Sequence, residues 1–366
     1  MPRSKVILVT GVANYWGAHL ASQLLAENDA EPGAGWHIIG LDTTRPNPEI
    51  PGLDFIQADI RNPLLVDLLQ EERVDTLCHL AFKDSVHPTE TTFDTNVVGT
   101  MKVLGACAQA GVRKVVLKSS TAVYGAHPDN PAFLSEEHSL RGSRKYGYTR
   151  DLVEIEAFFN GFRHQVPEMV LTLLRFASII GTDVDTPLTR FLREPLSPVL
   201  LGFDPMLQVI HERDVLAALF HTLTNDVPGV FNIAAEGVLS LSKLMAIAGK
   251  MPLPLIHPLA YFGANLLDGR GLGKRRYLPI ELDYLRYPWV GDLSKMRAEF
   301  GFTPAYTAEE ALREFAGQQR LQRFMPGSAA LAYDEQRLRD TMERRRRMQA
   351  RETMAAAEDF EESNDE

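Results

Sequence analysis

The sequence predicts an α/β protein, a doubly wound parallel sheet with a smaller C-terminal lobe. Three observations lead there. Short runs of β-branched and apolar residues alternate with longer amphipathic stretches through the first half of the chain. A glycine-bearing turn, VTGVANYWGAHL, lies between the first such run and the first helical pattern. The 366 residues exceed what one compact core usually holds, which calls for a second lobe.

Taken in order, KVILVTG is a buried-strand pattern and GAHLASQLLAEN a helical one; HIIGLD is the second strand, after a Gly/Pro-rich connection. LDFIQADI, VDTLCHLAF, RKVVLKSS and MVLTLLRFA continue the series, with helical patterns such as NVVGTMKVLGACAQAG between them. Strict alternation of this kind implies parallel strands joined by right-handed crossovers. The alternation weakens after about residue 176, where Pro187, Pro195, Pro198 and Pro205 fall close together. LQVIHERDVLAALFHTL and GVFNIAA then predict a helix and a strand returning to the main sheet. The expected division is a dinucleotide-binding domain over 1–175 rejoined by 206–234, and a substrate lobe over 176–205 and 235–325. Residues 326–366, with ERRRRMQAR before EDFEESNDE, read as a charged tail, helical or disordered.

Composition narrows the function. A hydrophobic fraction of 45% and a charged fraction of 23% are those of an ordinary globular protein. A formal charge of -10 argues against a general nucleic-acid binder, which needs a basic face. With only Cys78 and Cys107 there is no disulfide framework or cysteine-rich metal site, and no Asp/Glu/His spacing suggests a metal. The N-terminus lacks the apolar core and cleavage site of a signal peptide. MPLPLIHPLAYFGANLL, broken by Pro252, Pro254, His257 and Pro258, is short for a membrane span and reads as a packed segment or a lid. The expectation is a cytoplasmic protein with a small-molecule substrate.

In the first turn, Gly11, Asn14 and Gly17 flank Tyr15 and Trp16. Such a loop lets backbone N–H groups approach a pyrophosphate at the positive end of the following helix. Its spacing departs from G-x-G-x-x-G, and Asn14 at the middle position is a residue that tolerates left-handed backbone. Asp42, ending IIGLD, is placed to bond the ribose hydroxyls of NAD and repel a 2′-phosphate; the alternative is an ordinary turn aspartate. Arg45, three residues on, would receive a 2′-phosphate and leaves NADP open.

In SRKYGYTRDLVE, Tyr146 and Arg150 have the i, i+4 spacing that puts a cation and a phenol on one helical face. The plain alternatives are that Tyr146 is a packed residue, Arg150 a surface partner of Asp151 or Glu154, and Ser120 a strand-end hydroxyl. The spacing of Tyr148 and Lys145 puts neither on the expected face; Tyr124 reads as a pocket wall, and His79 and His211 as strand-end residues satisfied by backbone bonds.

With these residues together, the chain from about 5 to 315 resembles the extended short-chain dehydrogenase/reductase family, the NAD-dependent epimerases and dehydratases, whose first domain is a Rossmann fold. TGVANYWG is similar to the family's T-G-x-x-G-x-x-G, ADIRN to its A-D-[IL]-x-[DN], HLAF to H-L-A-A, and NVVGT to N-V-x-G-T. SSTAVYG, YGYTRDLVE, VIHERDV, FNIAAEG and DLSKMRAEFGFTP resemble its later elements, in order. The resemblance implies Asp59 and Ile60 beside the adenine; Leu80, Ala81, Phe82 and Asn96 along the cofactor; and Ser120, Tyr146 and Arg150 as the catalytic set. Tyr146 would take a proton from a substrate hydroxyl while Ser120 holds the oxygen, and the cation would lower the phenol's pKa and grip the nicotinamide ribose. The family has lysine where this chain has Arg150. Lowering a phenol from about 10 to about 7 takes roughly 4 kcal/mol, which a unit charge about 4 Å away supplies at an effective dielectric of about 20. A planar guanidinium changes the geometry more than the charge.

Two nucleotide contacts usual in the family are replaced, by Ser178 in LRFASIIG and by Leu207 in LQVIH. The implied function is an NAD-dependent epimerase, dehydratase or dehydrogenase acting on a secondary alcohol or ketone of a sugar or sugar nucleotide. Arg270, Lys274, Arg275 and Arg276 would either meet an anionic substrate or form a solvated loop. The alternatives are a dehydrogenase of a lipid-like alcohol and a non-catalytic NAD-binding regulatory protein. The resemblance also implies a homodimer through a four-helix interface that includes the helix of Tyr146.

Overall fold

The computed structural model describes residues 5–30, 35–85, 88–194, 196–256 and 280–322, with 332, 335–343 and 345–346 beyond them. Residues 1–313 form one compact unit and 314–366 a second, in which 335–343 are helical.

The first unit is built on β1 (Lys5–Thr10), β2 (Trp36–Asp42), β3 (Asp54–Gln57), β4 (Thr76–His79), β5 (Lys114–Ser120), β6 (Val170–Phe176) and β11 (Gly229–Ile233). They form a seven-stranded sheet in the order β11-β6-β5-β4-β1-β2-β3, and every pairing is parallel. Strand β11 closes one edge in register with β6, so the chain does return to the sheet after its proline-rich excursion. The order reverses between β1 and β4, the switch point where open α/β sheets bind ligands beyond their strand C-termini.

Near-continuous apolar strands fit a sheet covered on both faces. Ile7, Val9, Val116 and Leu174 point to one side, where they meet α1 (Tyr15–Ala30) and α7 (Glu212–Thr224) through Leu20, Leu24, Val215 and Leu219. Their neighbours Leu8, Val115, Leu117 and Leu173 point to the other side. There they meet α2 (Leu65–Glu71), α4 (Gly99–Ala110) and α5 (Gly147–Gln165) through Leu69, Leu104 and Phe159. Each such buried side chain contributes roughly 1.5–3 kcal/mol. Local signals set the ends: Gly111 terminates α4 in the left-handed conformation that glycine adopts at least cost.

Around the strand C-termini lie β7 (Ser178–Ile180) paired with β10 (Val209–His211), β9 (Met206–Leu207) with β12 (Leu239–Ser240), and β8 (Leu196–Leu200) with β13 (Met251–Leu255). Helix α6 (Pro187–Arg193) sits among them, opened by a Thr186/Thr189 capping box with proline at its first position. Among the described residues no helix is long and apolar enough to cross a membrane. Arg270, Lys274, Arg275 and Arg276 lie outside the described residues, as does the apolar stretch beyond Ile256.

Candidate active site

Beyond β1 the chain turns at Gly11, whose φ is 77°. A Cβ there would lie 2.6 Å from the Ala81 nitrogen and 2.7 Å from the Leu80 carbonyl carbon. A Cβ at Gly17, on the first turn of α1, would collide with the Gly11 carbonyl oxygen. The two glycines therefore hold loop and helix in close contact, leaving a cradle that a side chain would fill, as a bound pyrophosphate requires. The left-handed residue is Gly11, not Asn14: Arg73 is the only non-glycine with positive φ among the described residues. Asn14 works through its amide instead. Its Nδ2 donates to the Leu80 carbonyl at 2.7 Å and its Oδ1 accepts from the Gly17 N–H at 3.0 Å, tying the end of β4 to the start of α1.

Asp42 accepts from the Ala13 and Thr43 N–H groups at 3.0 and 2.7 Å, which aims its carboxylate at the loop mouth. Arg45 is turned away, 3.5 Å from Glu49 and stacked over Phe55. Asp59 is gripped by Arg61 through two side-chain bonds of 2.9 and 2.6 Å, which hold its carboxyl down at about 2. Ile60 is buried and crosses α4 at Gly99, where a Cβ would lie 2.7 Å from its Cδ1. Asn96 sits in a π-helical turn (Asp94–Val98) and bonds both the Lys83 backbone and the Asp151 carboxylate.

Asn14, Tyr15, Trp16, Leu80, Phe82, Ser120 and Tyr146 line one cavity of about 380 Å³, the size of a small-ligand site. Ser120 ends β5, 7% exposed, and its hydroxyl accepts from the Ala122 N–H at 3.2 Å. Tyr146 is not inside the helix. It is the residue before α5, in extended conformation (φ -101°, ψ 128°), so the i, i+4 geometry expected for Tyr146 and Arg150 does not apply to their side chains.

Arg150 is not among the cavity-lining residues. Its guanidinium donates to the Asp151 carboxylate at 2.8 Å and to the Thr89 carbonyl at 3.0 Å, and it stacks 5.0 Å over Phe93. Asp151 is fully buried, and an uncompensated carboxylate there would be costly, which explains where the arginine goes.

Tyr148, set aside on spacing alone, lines the same cavity as Ser120. Burial, reinforced by the Asp84 carboxylate, pushes that phenol well above its ordinary value. Lys118 and Asp84 also line the cavity. Lys118 had a legible signal, since it lies two residues before Ser120 on a strand and so shares its face. Asp84 and Tyr148 had none. The remaining wall comes from afar: Ser178, Asp183 to Leu188, and Ile280, Glu281, Tyr284 and Trp289. Tyr284 donates to the Ala122 carbonyl at 2.6 Å, and burial raises Glu281 to about 6.

Of three further expectations, two change. His79 is held by the Thr10 and Thr100 hydroxyls at 2.7 and 3.0 Å rather than by backbone, and burial lowers it to about 4. His211 does accept a backbone N–H, that of Arg213, as the cap of α7. Tyr124 lies behind the cavity, donating to Asn232 and accepting from Arg175, both at 2.7 Å. No group of three or more potential metal ligands occurs among the described residues.

Residues 7–234 match the model of the NAD dependent epimerase/dehydratase family. The chain belongs to that family. An uncharacterized protein of Mycobacterium tuberculosis is 34% identical over 322 residues, covering 85% of this chain and 83% of its own. UDP-glucose 4-epimerase 4 of Oryza sativa is 30% identical over 196 residues, about half of each chain (49% and 50%). Among solved structures, MoeE5 in complex with UDP-glucuronic acid and NAD superposes with a TM-score of 0.65 at 23% identity, over 86% of this chain and 99% of its own. The UDP-glucose 4-epimerase of Thermotoga maritima with UDP-glucose gives 0.63 at 20% identity, over 86% and 99%. These last two likenesses show a shared fold. The cofactor of this epimerase/dehydratase family member is NAD.

Proposed function

We propose that this protein uses NAD to oxidise, and re-reduce or pass on, a secondary alcohol of a sugar or sugar nucleotide. The observation carrying the proposal is that Ser120 and the phenols of Tyr146 and Tyr148 line one cavity bounded by the dinucleotide loop. NAD, when bound, would supply the hydride acceptor for this oxidation. Gly11, Asn14, Tyr15, Trp16 and Gly17 would hold its pyrophosphate and Asp42 its adenosine ribose, with Asp59, Ile60, Leu80, Ala81, Phe82 and Asn96 shaping the groove. Ser120 would donate to the reacting oxygen and fix its direction. A phenolate at the start of α5 would take the hydroxyl proton, leaving a carbonyl. Tyr146 is the proposed acceptor, and Tyr148, which lines the same cavity as Ser120, is the second candidate.

Glu281 supports a substrate with hydroxyl groups, since its buried Oε2 has no hydrogen-bond partner among the described residues. A lipid-like alcohol is the second reading. It is supported by an apolar wall of Leu152, Ile179, Leu188, Ile280 and Trp289, and by Ser178 where nucleotide-sugar enzymes carry asparagine. Protein, NAD and either UDP-glucose, UDP-glucuronic acid or a long-chain secondary alcohol decide the matter, with products read by mass spectrometry. An epimer, a keto sugar or a dehydrated sugar is expected, and Tyr146→Phe or Tyr148→Phe should abolish it. Conversion of the apolar alcohol alone would overturn the sugar reading. NAD binding with full cellular function in the double Phe variant would leave a non-catalytic regulatory protein.

A further inference from the structure

The cavity contains a cation that the resemblance does not account for. Lys118 projects from β5 on the face of Ser120, and its ammonium stands 5.2 Å from the centroid of the Trp16 ring, at the dinucleotide loop. It thus lies between the cofactor loop and the hydroxyl that orients the substrate. Burial lowers its pKa to about 8, against the pull of the Asp84 carboxylate. Asp84 is itself held by Arg190 at 2.6 Å, which is also 3.4 Å from Asp185, so the guanidinium is shared between two carboxylates. The other charged groups lining the cavity are Asp183, Asp185 and Glu281, and His79 is kept neutral by burial. Among the described residues of the wall, Lys118 is therefore the cation, while Arg150 is bound to Asp151 and Thr89 outside it.

We infer that Lys118, not Arg150, supplies the positive charge lining this cavity and stabilises the phenolate beside Ser120. Arg190, held by Asp84 outside the lining, also acts on the Tyr148 phenol. The inference rests on reading the cavity as an NAD-dependent alcohol site. A phenol held protonated by burial and by Asp84 needs such a charge before it can accept a proton near neutral pH.

The test is a pH titration of tyrosinate absorbance in the NAD-bound protein and in K118M, K118R and R150Q. The wild type should show one phenol titrating below the ordinary range. K118M should raise its midpoint by about one unit or more, K118R should largely restore it, and R150Q should leave it in place. Movement in R150Q with none in K118M would overturn the assignment. A second readout does not depend on the phenol: trinitrobenzenesulfonate should label Lys118 in the NAD-free protein at neutral pH, and bound NAD should protect it. Labelling unaffected by bound NAD would remove Lys118 from the cofactor. A wild type that does not bind NAD at all would instead overturn the reading of the site, a result distinct from either.

Discussion

On the cofactor side of the cavity, Gly11, Asn14, Gly17 and Leu80 lie at the ends of adjacent parallel strands and the start of α1, held together by close backbone contacts and the Asn14 amide. On the opposite side, Asp183 to Leu188 and Ile280 to Trp289 converge from distant parts of the chain, and contacts such as Tyr284 to Ala122 join them across 162 positions. The first side is specified by backbone geometry, which tolerates few residue types. The second is specified by side chains, which evolution can exchange without disturbing the sheet. Specificity should therefore change more easily on the second side, and stability should suffer more on the first.

The sharpest way to break this comparison is Gly17→Ala. The added methyl meets the Gly11 carbonyl oxygen, so a loss of about 2–4 kcal/mol and of NAD binding is expected in urea unfolding and NAD titration. Wild-type affinity in G17A would show the cofactor side to be as adaptable as the other. Next comes Arg150→Gln, which leaves buried Asp151 with only its Asn96 and backbone environment. About 2 kcal/mol of destabilisation is expected, below the usual cost of breaking a buried pair because the arginine side chain keeps 20% exposure. An unchanged melting temperature would mean that Arg150 is not the brace described above.

Asn14→Gly restores the residue the family usually carries but removes two hydrogen bonds; calorimetry should register about 1–2 kcal/mol lost. The smallest effect is a pH dependence on the substrate side. Glu281 has a folded pKa of about 6, above its unfolded value of 4.5, so the native state binds the extra proton between these values. Its contribution to stability is complete below about 4.5 and is lost as pH rises through 6. Comparing wild type with Glu281→Gln across that window should reveal a difference on the order of 1 kcal/mol, discounted for partial exposure; parallel curves would contradict it.

The same contrast explains what could be read from the amino-acid sequence. The alternation of apolar strands with amphipathic helices specified the parallel sheet because both faces are covered, and β11 could be placed from GVFNIAA for the same reason. Gly11, Asp42 and Ser120 were legible because strand ends fix where they stand, and Gly17 because it opens the helix that follows the first strand. The direction of Arg150 was not legible, because it depends on Asp151, Thr89 and Phe93, two of them on another segment, and because α5 begins one residue after Tyr146. Tyr148 escaped for the same reason: periodicity describes a helix interior, and this tyrosine lies in the first turn, where the chain is still turning in. Glu281 and Tyr284 reach the cavity only through tertiary folding that no local pattern encodes.

Asn14 has one more consequence. Because its amide already joins Leu80 to Gly17 in the protein alone, the cofactor meets a surface that needs no assembly. Association should then proceed in one kinetic phase, linear in NAD concentration, without the slow isomerisation of a loop that folds around its ligand. The accompanying heat-capacity change should match the area covered by the dinucleotide, with no added contribution from coupled folding. In a chain that keeps glycine at this position, the ordering of the turn would fall instead on the moment of binding.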